Sequence, residues 1–293
     1  MKMELRVLRY FQAVATELNF SRAAEKLHVS QPTISRQLKD LEDEVGVTLI
    51  KRGGRSIELT SEGEYFSNQV NQILALADKT LDNMQIGQDI TGSIVIGSAE
   101  TKSFISVAQS IKALRDKYPH IKINIVSTNA NDVRRNLDSG NFDFGIVVDP
   151  ASKKDYEFIH LLGESRWGVL MPRTSDLADK DHLTLDDLEN RDMIVTQQNG
   201  FLDALKDWYG ESTKKFNIVA TYNLLYNASL LVSAGVGYAL CVDGIINTNQ
   251  SDLIFVPLKP RRTASTNLVW QKGRKLSQAA EAFLKQISSD INK

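Results

Sequence analysis

The sequence predicts a multidomain fold: a small helix-rich domain, then one long helix, then an α/β domain of two similar lobes. Three observations support this prediction. Apolar residues recur every three or four positions over the first 45 residues, and the same rhythm returns from about residue 61 to 86. From about residue 92 onward, strand-like and helix-like segments alternate. With 293 residues, 42% of them hydrophobic, the chain is long enough for two or three units that each bury a core.

Residues 20–41 predict two short helices joined by a tight turn, which is a helix-turn-helix. The first helix is expected to start at Ser21, whose hydroxyl can cap backbone N–H groups of the following turn. The second is expected to run from about residue 31 to 45. Ser30 is its predicted cap, and Pro32 lies in its first turn, where the missing N–H costs nothing.

The second helix of this pair has an apolar face and a polar face. Ile34, Leu38 and Leu41 form the inward stripe. The outward side chains are hydrogen-bonding or cationic groups of the kind that read base edges and contact phosphates in the major groove: Gln31, Thr33, Ser35, Arg36 and Lys39. Helical hairpins also occur in proteins that bind no DNA, where such a face is simply solvated.

Two flanking segments favour DNA binding. Residues 5–18 predict a supporting helix, and residues 47–60 read as strand, glycine turn and strand, which is a wing. Lys51, Arg52 and Arg55 at its tip could contact the phosphate backbone, although an ordinary surface hairpin would show the same pattern. The first 60 residues hold ten Lys or Arg and eight Asp or Glu, while the whole chain has a net charge of −1. Attraction to DNA must therefore come from the placement of the cations.

From Leu5 to Gly63 the chain resembles the LysR-type transcriptional regulators. The residues that carry the resemblance are Phe11, Ala15, Phe20, Ser21, Ala23, Ala24, Leu27, Ser30, Gln31, Pro32, Ser35, Leu38, Leu41, Glu42, Gly46, Leu49, Arg52, Leu59, Thr60 and Gly63. Ile50 departs from the pattern, since the family usually has Phe there. The resemblance implies that Ser21 and Arg22 contact phosphate. With the residues deduced above, the expected DNA-binding set is Ser21, Arg22, Ser30, Gln31, Pro32, Thr33, Ser35, Arg36, Lys39, Lys51, Arg52 and Arg55.

Between the DNA-binding domain, residues 1–60, and the next domain, residues 61–87 predict a linker helix. It is expected to start at Thr60 or Ser61 and to end near Ile86, with Ser61 and Glu64 as a capping box. At 1.5 Å per residue it would be about 40 Å long. Its apolar residues predict a short coiled-coil seam between two subunits: Phe66, Val70, Ile73, Ala77, Leu81 and Met84. The alternative is an amphipathic helix that lies on its own domain. The resemblance favours dimerisation, and an operator with dyad symmetry would follow.

Residues 88–293 predict the α/β domain, with a hinge at 87–92, lobe I at about 92–162 and 268–293, and lobe II at about 163–267. The chain is expected to cross between the lobes near 161–166 and 261–268. Strands are predicted at 93–97, 121–127, 142–148, 167–171, 193–196, 216–220, 238–242 and 268–271. Helices are predicted at 103–118, 131–139, 202–209, 223–234 and 277–291.

Two stretches of this domain, DFGI at 143–146 and AGVGYA at 234–239, resemble the effector domain of the same regulators. The resemblance implies a periplasmic-binding-protein-like (type 2) fold of two Rossmann-like lobes with a small-molecule effector between them. Ligands of open α/β sheets bind at the carboxyl ends of strands, near helix N-termini. The expected effector-binding residues are Ser98, Ala99, Glu100, Thr101, Thr128, Asn129, Val148, Thr196, Gln197, Gln198, Phe201 and Asn223.

The charge of the effector stays open at the level of sequence. Small polar residues after the strands suit a carboxylate, but each of them could equally be a helix cap. Glu100 would repel an anion unless it turns away, so the ligand could instead be neutral or carry an amino group. Where many members of the family place an arginine after the motif at 143–146, this chain has Val147 and Val148.

These observations predict a cytoplasmic, homo-oligomeric transcription regulator with no catalytic residues. Its expected partners are double-stranded promoter DNA, further copies of itself as a dimer or a tetramer, a small-molecule co-inducer, and RNA polymerase as a further candidate. No cofactor is expected. No membrane partner is expected either, because no apolar run is long enough to span a bilayer and no signal peptide is evident. The four histidines show no metal-ligand spacing, and Cys241 lies in an apolar run typical of a buried, inert thiol.

Two rival functions remain at this stage. One is an enzyme with an accessory DNA-binding domain, although no nucleophile–base pair, metal cluster or phosphate-binding loop is recognisable in the sequence. The other is a small-molecule binding protein whose N-terminal helices make only protein contacts. Loss of DNA binding on substitution of Arg36, with the fold and ligand affinity intact, would support regulation, whereas unchanged DNA affinity would count against the assigned contacts.

Overall fold

The structure is a computed structural model that describes residues 3–53, 57–84, 90–149, 154–198 and 216–291, together with 201, 203, 205 and 207. The chain divides into two compact units, residues 1–84 and residues 85–293. The first unit contains four helices and a two-stranded sheet among its described residues. They are α1 (Leu5–Glu17), α2 (Phe20–Lys26), α3 (Gln31–Val45), β1 (Ile50–Arg52), β2 (Ile57–Leu59) and α4 (Ser61–Asn83).

Side-chain caps set the start of three of these helices. Ser30 caps α3 as predicted, since its hydroxyl accepts from the Thr33 amide at 3.4 Å. The predicted cap at Ser21 is wrong: α2 starts one residue earlier, because the Asn19 side chain accepts from the Arg22 amide at 3.0 Å. The predicted capping box of α4 is also wrong. Thr60 is the cap and accepts from the amide of Gly63 at 2.8 Å.

The core of the first unit is built from all four helices and the start of the wing. Ile34 and Leu38, on the inner face of α3, are completely buried, as the apolar stripe predicts. The Phe11 ring of α1 meets the Phe66 ring of α4 edge to face, with centroids 5.1 Å apart. Val70 of α4 is completely buried in the same core.

This packing corrects part of the predicted dimer seam. Phe66 and Val70 contact the core of their own unit, so they are not available to a partner helix. The spacing of the apolar residues predicted the helix correctly, but an apolar face can pack against its own unit or against a partner. Here α1 packs against the first half of α4. Leu81, in the second half, and Met84, directly after the last residue of α4, are about two-thirds exposed.

The wing is joined to α3 through Glu42. The Oε1 atom of this carboxylate accepts from the amides of Leu49 and Ile50 at 2.8 and 2.9 Å. Ile50 itself is 2% exposed, so the aliphatic side chain fills the core position at which the family usually has Phe. Since Ile50 begins β1, the carboxylate sets where the hairpin leaves the core.

The second unit is organised around one sheet of nine strands: β3 (Gly92–Ser98), β4 (Ile121–Ser127), β5 (Phe144–Val148), β6 (Tyr156–Pro172), β7 (Asp192–Thr196), β8 (Asn217–Tyr222), β9 (Tyr238–Val242), β10 (Leu253–Pro257) and β11 (Thr263–Gln271). Their order is β4-β3-β5-β11-β6-β9-β7-β8, with β10 beside β6. Pairs β3–β4 and β3–β5 are parallel in one lobe, and β7–β8 and β7–β9 are parallel in the other.

Two long antiparallel strands connect the lobes. β6 and β11 pair from Thr263 opposite Arg166 to Gln271 opposite Tyr156. The predicted crossing segments lie within this ladder or beside it, but the strands predicted at 167–171 and 268–271 are only the last parts of β6 and β11. The earlier residues of both strands alternate less clearly between buried and exposed positions, so periodicity alone did not predict them. β10, which the sequence analysis missed, is a five-residue strand.

Helices cover the sheet. They are α5 (Phe104–Lys117), α6 (Ala130–Asp138), α7 (Leu225–Ser233) and α8 (Gln278–Ile291), with a short 3-10 helix at Asp186–Leu188. The helix predicted at 202–209 falls largely outside the described residues. Lobe I buries Phe144 and Phe283 in one core, and lobe II buries Met193 and Leu240 in another. None of the described helices combines the length and apolar character needed to span a bilayer.

Candidate nucleic-acid interface and ligand cleft

The outer face of α3 is exposed along the two turns that the sequence predicts at DNA. Gln31, Pro32 and Thr33 in the first turn are exposed, and so are Arg36 and Lys39 further along. In the part of the chain that the structure describes, neither Arg36 nor Lys39 forms an ion pair. Both cations are therefore available for phosphate or base contacts, which unpaired, solvated side chains can make without first breaking an internal bond.

The other predicted DNA-binding residues differ in their surroundings. The Ser30 and Thr33 hydroxyls lie 2.7 Å apart, so Ser30 is a helix cap as well as a surface residue. Ser21 and Arg22 are exposed, and the Arg22 guanidinium donates to the Glu17 carbonyl oxygen at 2.6 Å. Ser35 is half-buried.

The wing carries one described exposed cation, Lys51. The backbone of Arg52 lies in β1, opposite Ile57, while Arg55 falls outside the described residues.

A cleft opens in the second unit where the carboxyl ends of strands from both lobes face each other. It encloses a cavity of about 70 Å³. Most of the residues predicted to bind the effector line it: Ala99, Glu100, Thr128, Asn129, Val148, Thr196, Gln197, Gln198 and Asn223. Ser98 and Thr101 instead line an adjoining cavity of about 280 Å³, which shares Ala99, Glu100 and Ile245 with the first.

Phe201 is a correction to the predicted cleft. It is 1% exposed and belongs to the core of lobe II, where its ring lies 4.9 Å from that of Trp167. Trp167, whose ring contacts that of Phe201, lines the cavity instead. An aromatic residue predicted to line a cleft can instead be buried behind the residues that line it. Only the packing of the side chains determines which position it takes.

Several lining residues escaped the sequence analysis: Ala130, Trp167, Tyr222, Leu224, Leu225, Val242 and Ile245. Tyr222 is the last residue of β8 and Val242 is the last residue of β9. Their position at the carboxyl ends of strands is the signal that could have identified them. The Tyr222 hydroxyl donates to the Leu240 carbonyl oxygen at 2.9 Å. Burial raises the pKa of this phenol well above its usual value, and the nearby Cys241 and Glu100 raise it further.

On the lobe I side, the polar groups of the cleft are bonded to each other. The Asn129 side chain caps α6 by accepting from the amides of Asn131 and Asp132 at 2.9 and 3.1 Å. One carboxylate oxygen of Asp132, Oδ2, accepts from the Thr128 hydroxyl at 3.0 Å and from Asn129 Nδ2 at 3.1 Å. The side chain of Arg135 is bonded to the same carboxylate and, as the largest cause, lowers the pKa of Asp132.

On the lobe II side, Glu100 reaches across the cleft. Its Oε2 accepts from the backbone amide of Leu225, the first residue of α7, at 2.5 Å. The residue before the helix, Leu224, has no side chain that can cap it, so the carboxylate from lobe I serves that purpose.

Ion pairs of Asp243 also join the lobes, beside Glu100. Lys102 Nζ lies 2.8 Å from Asp243 Oδ1, and Arg166 Nε lies 3.2 Å from Asp243 Oδ2. Desolvation by burial alone would raise the pKa of Asp243, but hydrogen bonds from Lys102 and Arg166 outweigh it and lower the pKa. Both lobes are thus held together at this edge of the cleft by charged hydrogen bonds.

Metal and thiol chemistry find no support in the described residues. They contain no group of three or more His, Cys, Asp or Glu side chains placed to hold a metal ion. Cys241 is buried, and burial raises the pKa of its thiol to about 12, so the reactive thiolate is suppressed.

Comparison with known proteins matches both units to one family. Residues 5–64 match the family described as bacterial regulatory helix-turn-helix protein, lysR family, and residues 87–291 match the LysR substrate binding domain. The chain is 30% identical to the HTH-type transcriptional regulator AlsR of Bacillus subtilis (strain 168), over 95% of this chain and 88% of that protein. It is also 30% identical to the Hca operon transcriptional activator HcaR of Escherichia coli (strain K12), over 92% of this chain and 93% of that one.

Among solved structures, the fold is similar to that of full-length CbnR in complex with its target DNA. The TM-score is 0.73 at 22% identity, and the match covers 98% of this chain and 100% of the other. CbnR without DNA gives a TM-score of 0.74 at 20% identity, over 99% and 100% of the two chains. At this level of identity the likeness concerns the fold.

Proposed function

This chain belongs to the LysR family of transcriptional regulators, and from that membership we propose that it binds a dyad-symmetric operator as an oligomer and responds to a small molecule held in the cleft of its second unit. It is a regulator with a DNA-binding unit and an effector-binding unit, and not an enzyme. We also propose that the protein is cytoplasmic, because it acts on promoter DNA.

The observation that carries the DNA-binding part is the outer face of α3. Thr33 and Arg36 lie on the exposed face of a helix whose other face is buried in the core, and Gln31 is exposed at the first position of that helix. A helix presented in this way fits the major groove, and a wing that carries Lys51 fits the adjacent phosphate backbone. The core of the first unit fixes this face in place, because Ile34 and Leu38 are completely buried beneath it.

Dimerisation through α4 is the second part of the proposal. The end of α4 exposes Leu81 and Met84, and Ile73 and Leu76 are also more than a third exposed. Four exposed apolar side chains on one helix and its C-cap favour burial against a second copy, since a solvated helix seldom carries so many. Two copies joined there would present two α3 helices, which suits an operator of two half-sites.

The sheet of the second unit offers a further surface for assembly. Its outermost strands, β4 and β8, expose Ile125 and Val126 at one edge and Ile218 and Val219 at the other. Unpaired apolar edge strands promote association. We therefore propose that copies of the chain also contact each other through these edges, which would extend a dimer to a tetramer.

Regulation requires that the effector bind one arrangement of the protein more tightly than another. A ligand with equal affinity for two arrangements shifts neither. In this proposal the effector enters between the lobes and changes the contacts that Glu100 and Lys102 make across the cleft. The altered relation of the lobes is then transmitted to the oligomer and to the bound DNA.

The test of DNA recognition uses variants of α3. An operator is first obtained by selecting double-stranded DNA from a random pool with the wild-type chain. Arg36→Ala is expected to weaken binding to that operator by about 10- to 100-fold, the usual cost of losing one good base contact. Lys39→Gln is expected to weaken binding to all sequences and to lower the slope of log affinity against log salt by about one.

Lys285→Ala is the matched control, because Lys285 is an exposed cation on α8 in the other unit. It removes the same charge and should change operator affinity less than twofold. The assay is fluorescence anisotropy at several salt concentrations, with circular dichroism to verify the fold. Unchanged affinity in Arg36→Ala and Lys39→Gln, with both folds intact, would remove α3 from the interface and refute this part of the proposal.

A further inference from the structure

We propose that Glu100 makes the cleft selective for an effector that carries a protonated amino group, and that it excludes carboxylates. This inference rests on the proposed function, since it assumes that the cleft is the effector site. The small polar residues at the strand ends could bind a ligand of either charge. In this inference Glu100 determines which charge is bound. Four features of the cleft support it.

The first feature is that the helix N-termini facing the cleft are already bonded to acceptors of the chain itself, a carboxylate at α7 and an amide oxygen at α6. Glu100 occupies the N-terminus of α7 through the Leu225 amide, at 2.5 Å. At α6, Asn129 accepts from the first amides, and Asp132 accepts from the Thr128 hydroxyl and the Asn129 side chain. An effector carboxylate would have to displace these groups before it could use the same donors.

The second feature is the charge of the lining. Among the described residues that line the cavity, Glu100 is the only one with a formal charge. The nearest cation along the chain, Lys102, directs its ammonium to Asp243 at 2.8 Å. A carboxylate placed in this cavity would lose water without gaining a cation, while an ammonium would gain an anion.

The third feature is the unused half of the Glu100 carboxylate. Oε2 is bonded to Leu225, and no described residue donates to Oε1. Carboxylates accept several hydrogen bonds, so Oε1 keeps room for a donor from a ligand. A charge-assisted bond from an ammonium is stronger than a bond from an uncharged donor.

The fourth feature is position. Glu100, Ala99 and Ile245 line both the cavity of about 70 Å³ and the adjoining cavity of about 280 Å³. The carboxylate therefore stands where the two spaces adjoin. Val148, Trp167 and Val242 give the inner cavity an apolar wall, so an ammonium at Glu100 would leave the rest of a small ligand against apolar and aromatic surface.

The experiment compares ligands of equal shape and opposite charge. The probes are benzylamine against benzoate and butylamine against butyrate, with benzyl alcohol and butanol as uncharged references. Binding to the full-length chain is measured by isothermal titration calorimetry up to millimolar concentrations, at a pH where the amines are protonated. Wild type is expected to bind each amine at least tenfold more tightly than its carboxylate.

Glu100→Gln is the key variant, because its amide oxygen can still accept from Leu225 while the charge is gone. It is expected to lower affinity for the amines by about tenfold or more, the size of a charge-assisted hydrogen bond, and to remove the preference against carboxylates. Glu281→Gln, an exposed glutamate on α8, is the matched control and should keep the wild-type preference. Hydrogen exchange at the Leu225 amide reports whether α7 stays formed in each variant.

The inference is overturned if wild type prefers carboxylates or shows no preference. It is also overturned if Glu100→Gln keeps the wild-type preference with α7 intact, or if neither protein binds any probe. These failures are distinct from failure of the proposed function. A chain that binds its operator through α3 but shows no charge preference retains the proposed function, whereas loss of operator recognition refutes that function whatever the probes show.

Discussion

A pair of identical substitutions on α4 separates the residues that fold the first unit from those that we expect to join two copies. Leu74 and Leu81 lie two helical turns apart on the same helix, and Leu74 is 2% exposed while Leu81 is 64% exposed. Each is changed to alanine, so the chemistry and the helix propensity of the change are the same. Only the surroundings differ.

The magnitudes follow from burial. Leu74 lies in the core with Phe11 and Val70, and truncation of a fully buried leucine costs about 3 kcal/mol. Leu74→Ala should therefore increase the opening constant of the first unit by about 100-fold. Leu81→Ala should change the free energy of that opening by less than about 0.5 kcal/mol, since the side chain is mostly solvated in the single chain. If a partner covers Leu81, the dimer loses about 1–2 kcal/mol per copy.

Two measurements separate these effects. Hydrogen exchange of peptides from α1 and α4, at a concentration high enough to keep the oligomer assembled, reports local opening. Sedimentation velocity over a dilution series reports dissociation. Leu74→Ala should speed exchange strongly, and Leu81→Ala should shift the dissociation midpoint to higher concentration with little effect on exchange. Equal exchange rates in the two variants would contradict the assigned core, and unchanged dissociation in Leu81→Ala would contradict the assigned interface.

Two further predictions concern single carboxylates. Glu42→Ala removes the acceptor of two wing amides, so exchange at those amides should speed up and operator affinity should fall about tenfold, while Asp43→Ala, an exposed neighbour, should do neither. The pKa of Asp187 is lowered to about 2, first by its hydrogen bond from Lys180, so the folded state binds a proton less readily than an unfolded chain with a pKa of 3.8. Its stabilising contribution, at most about 2 kcal/mol, is then complete above pH 4 and is lost as the pH falls from about 4 to 2. Urea unfolding followed by tryptophan fluorescence should show this loss in wild type and in the exposed control Asp186→Asn, and not in Asp187→Asn; an equal loss in all three would refute it.

Local patterns in the sequence were enough to predict most elements of the fold. The span of α3, its cap at Ser30 and its buried stripe are confirmed, because a capping side chain and an apolar period act over a few neighbouring residues. Most of the residues that the strand-end rule selected likewise line the cleft, since the carboxyl ends of parallel strands meet at one edge of a sheet.

Contacts between distant parts of the chain were not readable in the same way. The apolar rhythm of α4 does not show that α1 covers Val70 and leaves Leu81 exposed, because both kinds of contact need the same apolar residues. Nothing near Glu100 in the chain indicates that its carboxylate bonds to an amide 125 residues away. Periodicity and capping reflect interactions within a few residues, whereas the partner of a buried side chain or of a charge depends on how the elements pack in space.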